Sequence, residues 1–427
     1  MKLKMLDFNL MRAVLLPAAA VLIIAAPRVH AAFTAGDLAV FSADAASANN
    51  TSFTILELSP ASANQSSPVN SIPINGTTGP NALRTSGSAS STGYVADSDD
   101  GTLVVFTGHN STTTSGNANA ILARGVGTLD IAGSFALQTT YTGASGNQTR
   151  CATSVNKAVW FIGDQNGIYT NGVSSPLNAA NARGVKSFGG TIYVQQTASK
   201  ATNIVVATLS ADGKTLTALP GLTNDNSAQD FYLVSSGSNG PIFDVLYVLD
   251  DTNATAGAIN KYSLAGGTWT ANGTYATSFG GFGICAETIG GGGAALYVTT
   301  GTGATAANKV IKLADTAGSN STISINTPDN LTLYTAATGT TMKGIAFAPK
   351  NVSTPVTMTG IAVNGDGSVK LSGACAPGTN VVQRTDSLTP PAVWTPIYTN
   401  VVDQTGNWQW TDPTPTKPAF YRSQAQH

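Results

Sequence analysis

Carboxylates come closest to a chemical site in this chain. Asp97, Asp99 and Asp100 fall within the run Asp97-Ser-Asp-Asp-Gly101, and Asp250 and Asp251 stand with Asp244 around an apolar stretch. Carboxylates gathered at strand ends offer oxygen ligands to a hard cation such as Ca2+. From several parts of a chain they could build a metal-dependent hydrolase or lyase acting on an extracellular carbohydrate or ester. The first run lacks the bidentate Glu that an EF-hand loop places at its end. Asp-Asp-Gly is also what a tight hairpin requires, because Asp and Gly tolerate left-handed dihedrals. The turn is the favoured reading, and Ca2+ is the one cofactor these residues leave open.

Other reactive groups are sparse. His109, beside Asn110-Ser-Thr112, is expected on an exposed loop, with no nucleophile in an elbow context near it. Gly290 to Gly293 lack the following Lys and helix of a phosphate cradle and are expected to join two strands. The cysteines are Cys151, Cys285 and Cys375. In an oxidising compartment this odd number allows one internal bridge, for which Cys151 and Cys285 are the candidates. Small buried hydrophobic roles are the alternative for all three. No catalytic residue and no cofactor-binding set stands out, so the chain is more simply read as a non-enzyme.

The N-terminus carries the firmest functional signal. Lys2, Lys4 and Arg12 precede an apolar run from Ala13 to Ala26, and Val29 and Ala31 place small residues where a signal peptidase reads them. The run is shorter than the roughly 20 residues a membrane-spanning helix needs. Residues 1–31 are therefore expected to be a signal peptide, and the mature chain to be secreted, periplasmic or held at the cell surface, with no transmembrane segment after cleavage. Cleavage removes four of the 21 basic residues and one of the 22 acidic ones, leaving a formal charge near −4. A mild negative balance without a basic cluster argues against nucleic acid as a partner. A protein or carbohydrate ligand is the expectation that remains.

The elements that must position these residues are short strands. Charged residues make up only 10% of the chain, against roughly 25% in an average domain. Short β-branched and aromatic runs recur next to Gly, Asp or Asn. They are Asp37–Phe41, Thr102–Gly108, Ala158–Gly163, Thr191–Gln195, Val245–Asp250, Ala295–Thr300 and Gly344–Pro349. Their starts lie 65, 56, 33, 54, 50 and 49 residues apart. Units of that length holding several strands are the signature of propeller blades. The pattern predicts an all-β fold: a β-propeller of about seven blades over 32–350, with six or eight as alternatives because the spacing is uneven, closed by pairing the strand near Asp37 with that near Ile345.

Residues 351–427 differ in texture. A polar linker, Asn351 to Pro355, leads to strands on either side of Asn364-Gly-Asp-Gly367, a strong hairpin signal. Trp394, Trp408, Trp410, Tyr398 and Tyr421 give this part a high aromatic density. They could form a sugar-stacking surface, but a shared face at period two makes a core the simpler reading. The expectation is a small β-sandwich of immunoglobulin or fibronectin type.

Two stretches resemble known families. Phe33-Thr-Ala-Gly-Asp-Leu-Ala-Val40 and Leu83-Arg-Thr-Ser-Gly-Ser-Ala-Ser-Ser-Thr-Gly93 resemble blocks of a group of secreted bacterial propeller proteins, with Thr92 where that group has glutamate. Gly367 to Gly373, Trp394-Thr-Pro-Ile397, Trp410-Thr-Asp412 and Phe420-Tyr-Arg422 are similar to a C-terminal module of exported proteins in Verrucomicrobia and their relatives. The resemblance implies an exported propeller with an accessory sandwich, and it implies no activity. The expected function is an exported, non-enzymatic binding or scaffold protein of the cell surface or envelope.

Overall fold

In the computed structural model the described residues are 32–196, 205–222, 228–238, 242–351, 357–374, 378–389, 392–402, 407–415 and 418–426. The expected signal peptide, linker residues 352–356 and Cys375 lie outside them.

Strands form wherever apolar, β-branched residues run between turn residues. The first group is β1 (Leu38–Ala43), β2 (Phe53–Leu58) and β3 (Asn70–Ile74). Next come β4 (Leu83–Arg84), β5 (Val95–Asp97), β6 (Val104–Asn110), β7 (Ala123–Leu129) and β8 (Phe135–Thr142). The third group is β9 (Thr149–Thr153), β10 (Phe161–Asp164) and β11 (Gly167–Tyr169). The fourth is β12 (Ala182–Phe188), β13 (Thr191–Gln196), β14 (Ala207–Leu209) and β15 (Leu216–Ala218). The fifth is β16 (Ala228–Val234), β17 (Val245–Asn253), β18 (Ala256–Ala265) and β19 (Thr268–Thr277). The sixth is β20 (Gly281–Thr288), β21 (Ala294–Thr300), β22 (Lys309–Asp315) and β23 (Leu331–Thr335), after which β24 (Thr341–Phe347) returns to the first group.

Each group is one antiparallel sheet, and β24 joins the first sheet beside β1 in the order β24-β1-β2-β3. Leu38 pairs with Phe347 and Val40 with Ile345. This gives one sheet fewer than the seven expected and agrees with the alternative of six. The seven strand signals are β1, β6, β10, β13, β17, β21 and β24, and the first and last share a sheet, so among the described residues of 32–350 there are six sheets. In every sheet the signal strand nearest the middle of its unit is the second strand; the first strand lies further in. Those inner strands, β24, β5, β9, β12, β16 and β20, pack each against the next, and β20 meets β24 to close the ring. This is the arrangement of a β-propeller.

Apolar clusters fill the spaces between neighbouring sheets. Phe41 stacks on Phe53 at 4.3 Å, and Phe53 meets Phe106 of the second sheet edge-on at 5.6 Å. Near the axis the backbones approach closely. A Cβ on Gly344 of β24 would collide with the backbone of Tyr94 and Val95, and one on Gly283 of β20 would lie 3.0 Å from the Gly344 Cα.

The C-terminal residues form two three-stranded antiparallel sheets. One has the order β25-β26-β29, from β25 (Thr357–Val363), β26 (Val369–Ala374) and β29 (Asn407–Asp412). The other has the order β28-β27-β30, from β27 (Gly378–Thr385), β28 (Thr395–Val402) and β30 (Phe420–Gln426). Val369, Leu371 and Trp408 of the first share a core with Val382 of the second. The Asn364–Gly367 turn forms as the sequence predicts: Gly367 N–H donates to the Asn364 carbonyl at 3.0 Å, and Gly367 has a φ of +87° that favours glycine.

Candidate functional site

Four inner strands end around a pocket of about 310 Å3 at one mouth of the ring. Strand β5 brings Asp97 and, just beyond it, Ser98 and Asp99. Strand β12 brings Lys186, Ser187 and Phe188; β16 brings Tyr232; and β24 brings Phe347, followed by Lys350. Phe243, just before β17, completes an aromatic wall. Phe188 lies 5.0 Å from Tyr232 edge-on and 5.3 Å from Phe243, and Tyr232 lies 6.2 Å from Phe347.

Beneath the pocket the charges are paired. Lys186 Nζ donates to Asp230 Oδ2 at 2.9 Å and to the carbonyls of Phe231 and Ile284 at 2.9 and 3.0 Å. The Ile284 N–H donates to the same carboxylate oxygen at 2.9 Å. Asp97 is different. Its half-buried carboxyl lies where burial raises its pKa to about 7, against the opposing pull of Lys186, the Phe347 backbone and Lys350. A carboxyl titrating near neutrality in a concave site can donate or accept a hydrogen bond there.

The structure scatters the six carboxylates that the sequence offers for Ca2+. Asp99 accepts the Gly190 N–H through both oxygens, at 3.0 and 2.9 Å. Asp100 closes a turn, accepting from Ser98, from both Thr102 donors and from Lys157 Nζ at 2.6 Å, and these bonds hold its carboxyl below the usual range. Asp244 accepts from the Ser236 backbone and hydroxyl at 2.7 and 2.6 Å. Asp250 accepts from Asn260 at 2.7 Å. Burial raises Asp251 to about 6, with Arg183 opposing the rise. Asp244 immediately precedes β17 and Asp251 lies within it seven residues on, which puts them roughly 23 Å apart toward opposite ends of the strand. Asp97, Asp99 and Asp100 share the pocket's end of the ring with Asp244, whereas Asp250 pairs with the start of β16 at the far end. Among the described residues no group of three or more His, Cys, Asp or Glu side chains could hold a metal ion.

Two further expectations change. Cys151 and Cys285 are both free and buried. They lie on β9 and β20, which are separated in the ring by two inner strands on either side, too far for a disulfide. Cys151 Sγ accepts the Val185 N–H at 2.8 Å, and burial raises its pKa to about 12. His109 is on strand β6 and fully buried, not on an exposed loop. Its ring faces Asn119 Oδ1 at 3.2 Å, and burial together with Arg124 lowers its pKa to about 3. Gly290–Gly292 form a short 3-10 turn between β20 and β21. In the C-terminal sheets Trp408 is core, Trp410 stacks on Tyr398 at 4.8 Å, and Arg422 covers Trp394 at 4.5 Å.

Sequence reading missed most of the pocket: Lys186, Ser187, Phe188, Tyr232, Phe243, Phe347 and Lys350. One signal was available. Lys186 and Asp230 are single charges inside otherwise strand-like runs, Val185-Lys-Ser-Phe188 and Gln229-Asp-Phe-Tyr-Leu-Val234, and a charge inside a buried strand requires a partner.

No family model matches the chain, and no curated protein matches it. Among solved structures it is similar to a putative 6-phosphogluconolactonase from Bacteroides fragilis NCTC 9343, at 12% identity and a TM-score of 0.36, over 86% of this chain and 96% of that one. It is similar to a glucose dehydrogenase at 13% identity and a TM-score of 0.33, over 64% and 96%. It is also similar to the C-terminal WD40 domain of Sif2 at 11% identity and a TM-score of 0.29, over 73% and 87%.

Proposed function

We propose that the chain is an exported, non-enzymatic binding protein: a six-bladed β-propeller with a C-terminal immunoglobulin- or fibronectin-like sandwich, working in the envelope or at the cell surface. Its ligand enters the pocket between Asp97 and Phe347. The observation that carries this reading is the pocket's make-up, an aromatic wall facing a few convergent polar groups at the mouth of a rigid ring. Export rests on the basic and apolar pattern of residues 1–31.

A metal-dependent hydrolase or lyase would need its carboxylates at one mouth. Here they are divided between the two ends of the ring, and four of the six accept hydrogen bonds from nearby backbone or side-chain donors. The test is metal analysis of the purified mature protein, thermal melting with and without a chelator, and a turnover screen on sugar, lactone and ester substrates. The binding reading expects no stoichiometric metal, no chelator shift and no turnover. Metal-dependent turnover would replace it with the enzyme.

A further inference from the structure

The charges around the pocket are nearly balanced, and that narrows the ligand. Lys186 is committed to Asp230 and two carbonyls, and Lys157 near the rim is committed to Asp100. The exposed Lys350 is the remaining lysine of the lining, and it stands close enough to Asp97 to act on that carboxyl. An anionic ligand would therefore meet one ammonium and also the carboxyls of Asp97 and Asp99. A cationic ligand would meet those carboxyls and also the ammonium group of Lys350, with the Lys186 charge already offset by Asp230. Either charge would lose its hydration to a site that returns little net attraction.

A purely apolar ligand fits no better. Asp97, Ser98, Asp99, Ser187 and Lys350 all line the space; Ser98, Asp99 and Ser187 already hold hydrogen bonds to Asp100, Gly190 and Thr153, so the cost of being covered by an apolar surface falls mainly on Asp97 and Lys350. Opposite them stand Phe188, Tyr232, Phe243 and Phe347. The complement of one apolar wall and one wall of mixed donors and acceptors is a small neutral molecule with an apolar face and several hydroxyls. The pocket is near the lower end of the size range for ligand sites, which suits one or two sugar rings.

We infer that the channel-mouth pocket binds an uncharged sugar, stacked on the Phe347 and Phe243 side and hydrogen-bonded by Asp97, Ser187 and Lys350. This inference rests on the binding reading above and adds the ligand class. The experiment is isothermal titration of the mature protein with glucose, galactose, mannose, cellobiose and lactose at millimolar concentration. Glucuronic acid, galacturonic acid and glucosamine serve as charged counterparts. The same titrations are run on Phe347→Ala and on Phe243→Ala, both at half-buried positions at the ends of different strands, so that a fold defect in one leaves the other as a test.

The expected result is binding of at least one neutral sugar, with charged counterparts weaker by about tenfold or more and binding lost by a similar factor in both variants. If charged sugars bind best and both variants lose them, the neutral class is wrong while the pocket reading stands. If a neutral sugar binds wild type and both folded variants equally, the pocket reading itself fails. If no sugar binds, the carbohydrate class is overturned.

Discussion

Lys186 Nζ lies 2.9 Å from Asp230 Oδ2, both side chains almost fully buried, and the same two groups bind the backbone of Ile284. One ion pair therefore ties the inner strands of three consecutive blades, β12, β16 and β20, directly under the pocket. Removing one partner leaves the other charge buried and alone. Lys186→Met or Asp230→Ala is expected to cost about 3–5 kcal/mol, read from denaturant midpoints at unchanged slope. The double variant Lys186→Met/Asp230→Leu should recover much of that loss. Additive losses would show that the pair does not act as a unit.

Asp97 makes stability depend on pH. Its folded pKa of about 7 lies above the unfolded carboxyl value of 3.8, so the folded state holds the proton more tightly between those limits. Stability then falls as pH rises from about 4 to about 7 and levels off above. In Asp97→Asn that slope should be shallower, which melting temperatures across the window will show. An unchanged slope would remove Asp97 as its source.

Lys343 works in a separate window. It is fully buried on β24, donates to the Ala89 carbonyl at 2.7 Å and lies 5.6 Å from the Phe282 ring centre. Burial lowers its pKa to about 7 from 10.5, so between those values the unfolded chain binds the extra proton. Stability should rise from about pH 7 toward pH 10, and Lys343→Met should abolish the rise. Melting curves at alkaline pH decide this independently of Asp97.

Cys151 and Cys285 should be inert thiols. In a Cys375→Ser background neither Cys151 nor Cys285 should react with a thiol reagent until the protein unfolds, because burial raises both pKa values. Reductant should leave the melting temperature unchanged. A reductant-sensitive midpoint in that background would indicate a bond that the positions of β9 and β20 do not allow.

The second strands of the blades were legible in the sequence because they are uninterrupted apolar runs. Val245–Leu249 is an example, with every residue buried. Of the inner strands only β24 was read, from its apolar stretch after Lys343; β9, β12 and β16 were not, because Arg150, Lys186 and Asp230 break their apolar pattern with charges that only the assembled ring can partner. The count of seven came from reading β1 and β24 as two blades, although their pairing was itself expected from the need to remove an edge. The acidic turn at Asp97–Gly101 was read correctly for Asp100. Asp97 gained its significance from Phe347 and Lys350, some 250 residues away in the chain, a proximity that only the ring closure creates.

The most direct test of the central claim is crystallographic: soak crystals of the mature protein with small neutral hydroxylated compounds and their charged analogues. The account predicts ligand density between Asp97 and Phe347, with hydroxyls toward Asp97 and Ser187. Density only at the opposite mouth, beside Arg183 and Asp251, with the Asp97 pocket holding none, would contradict it.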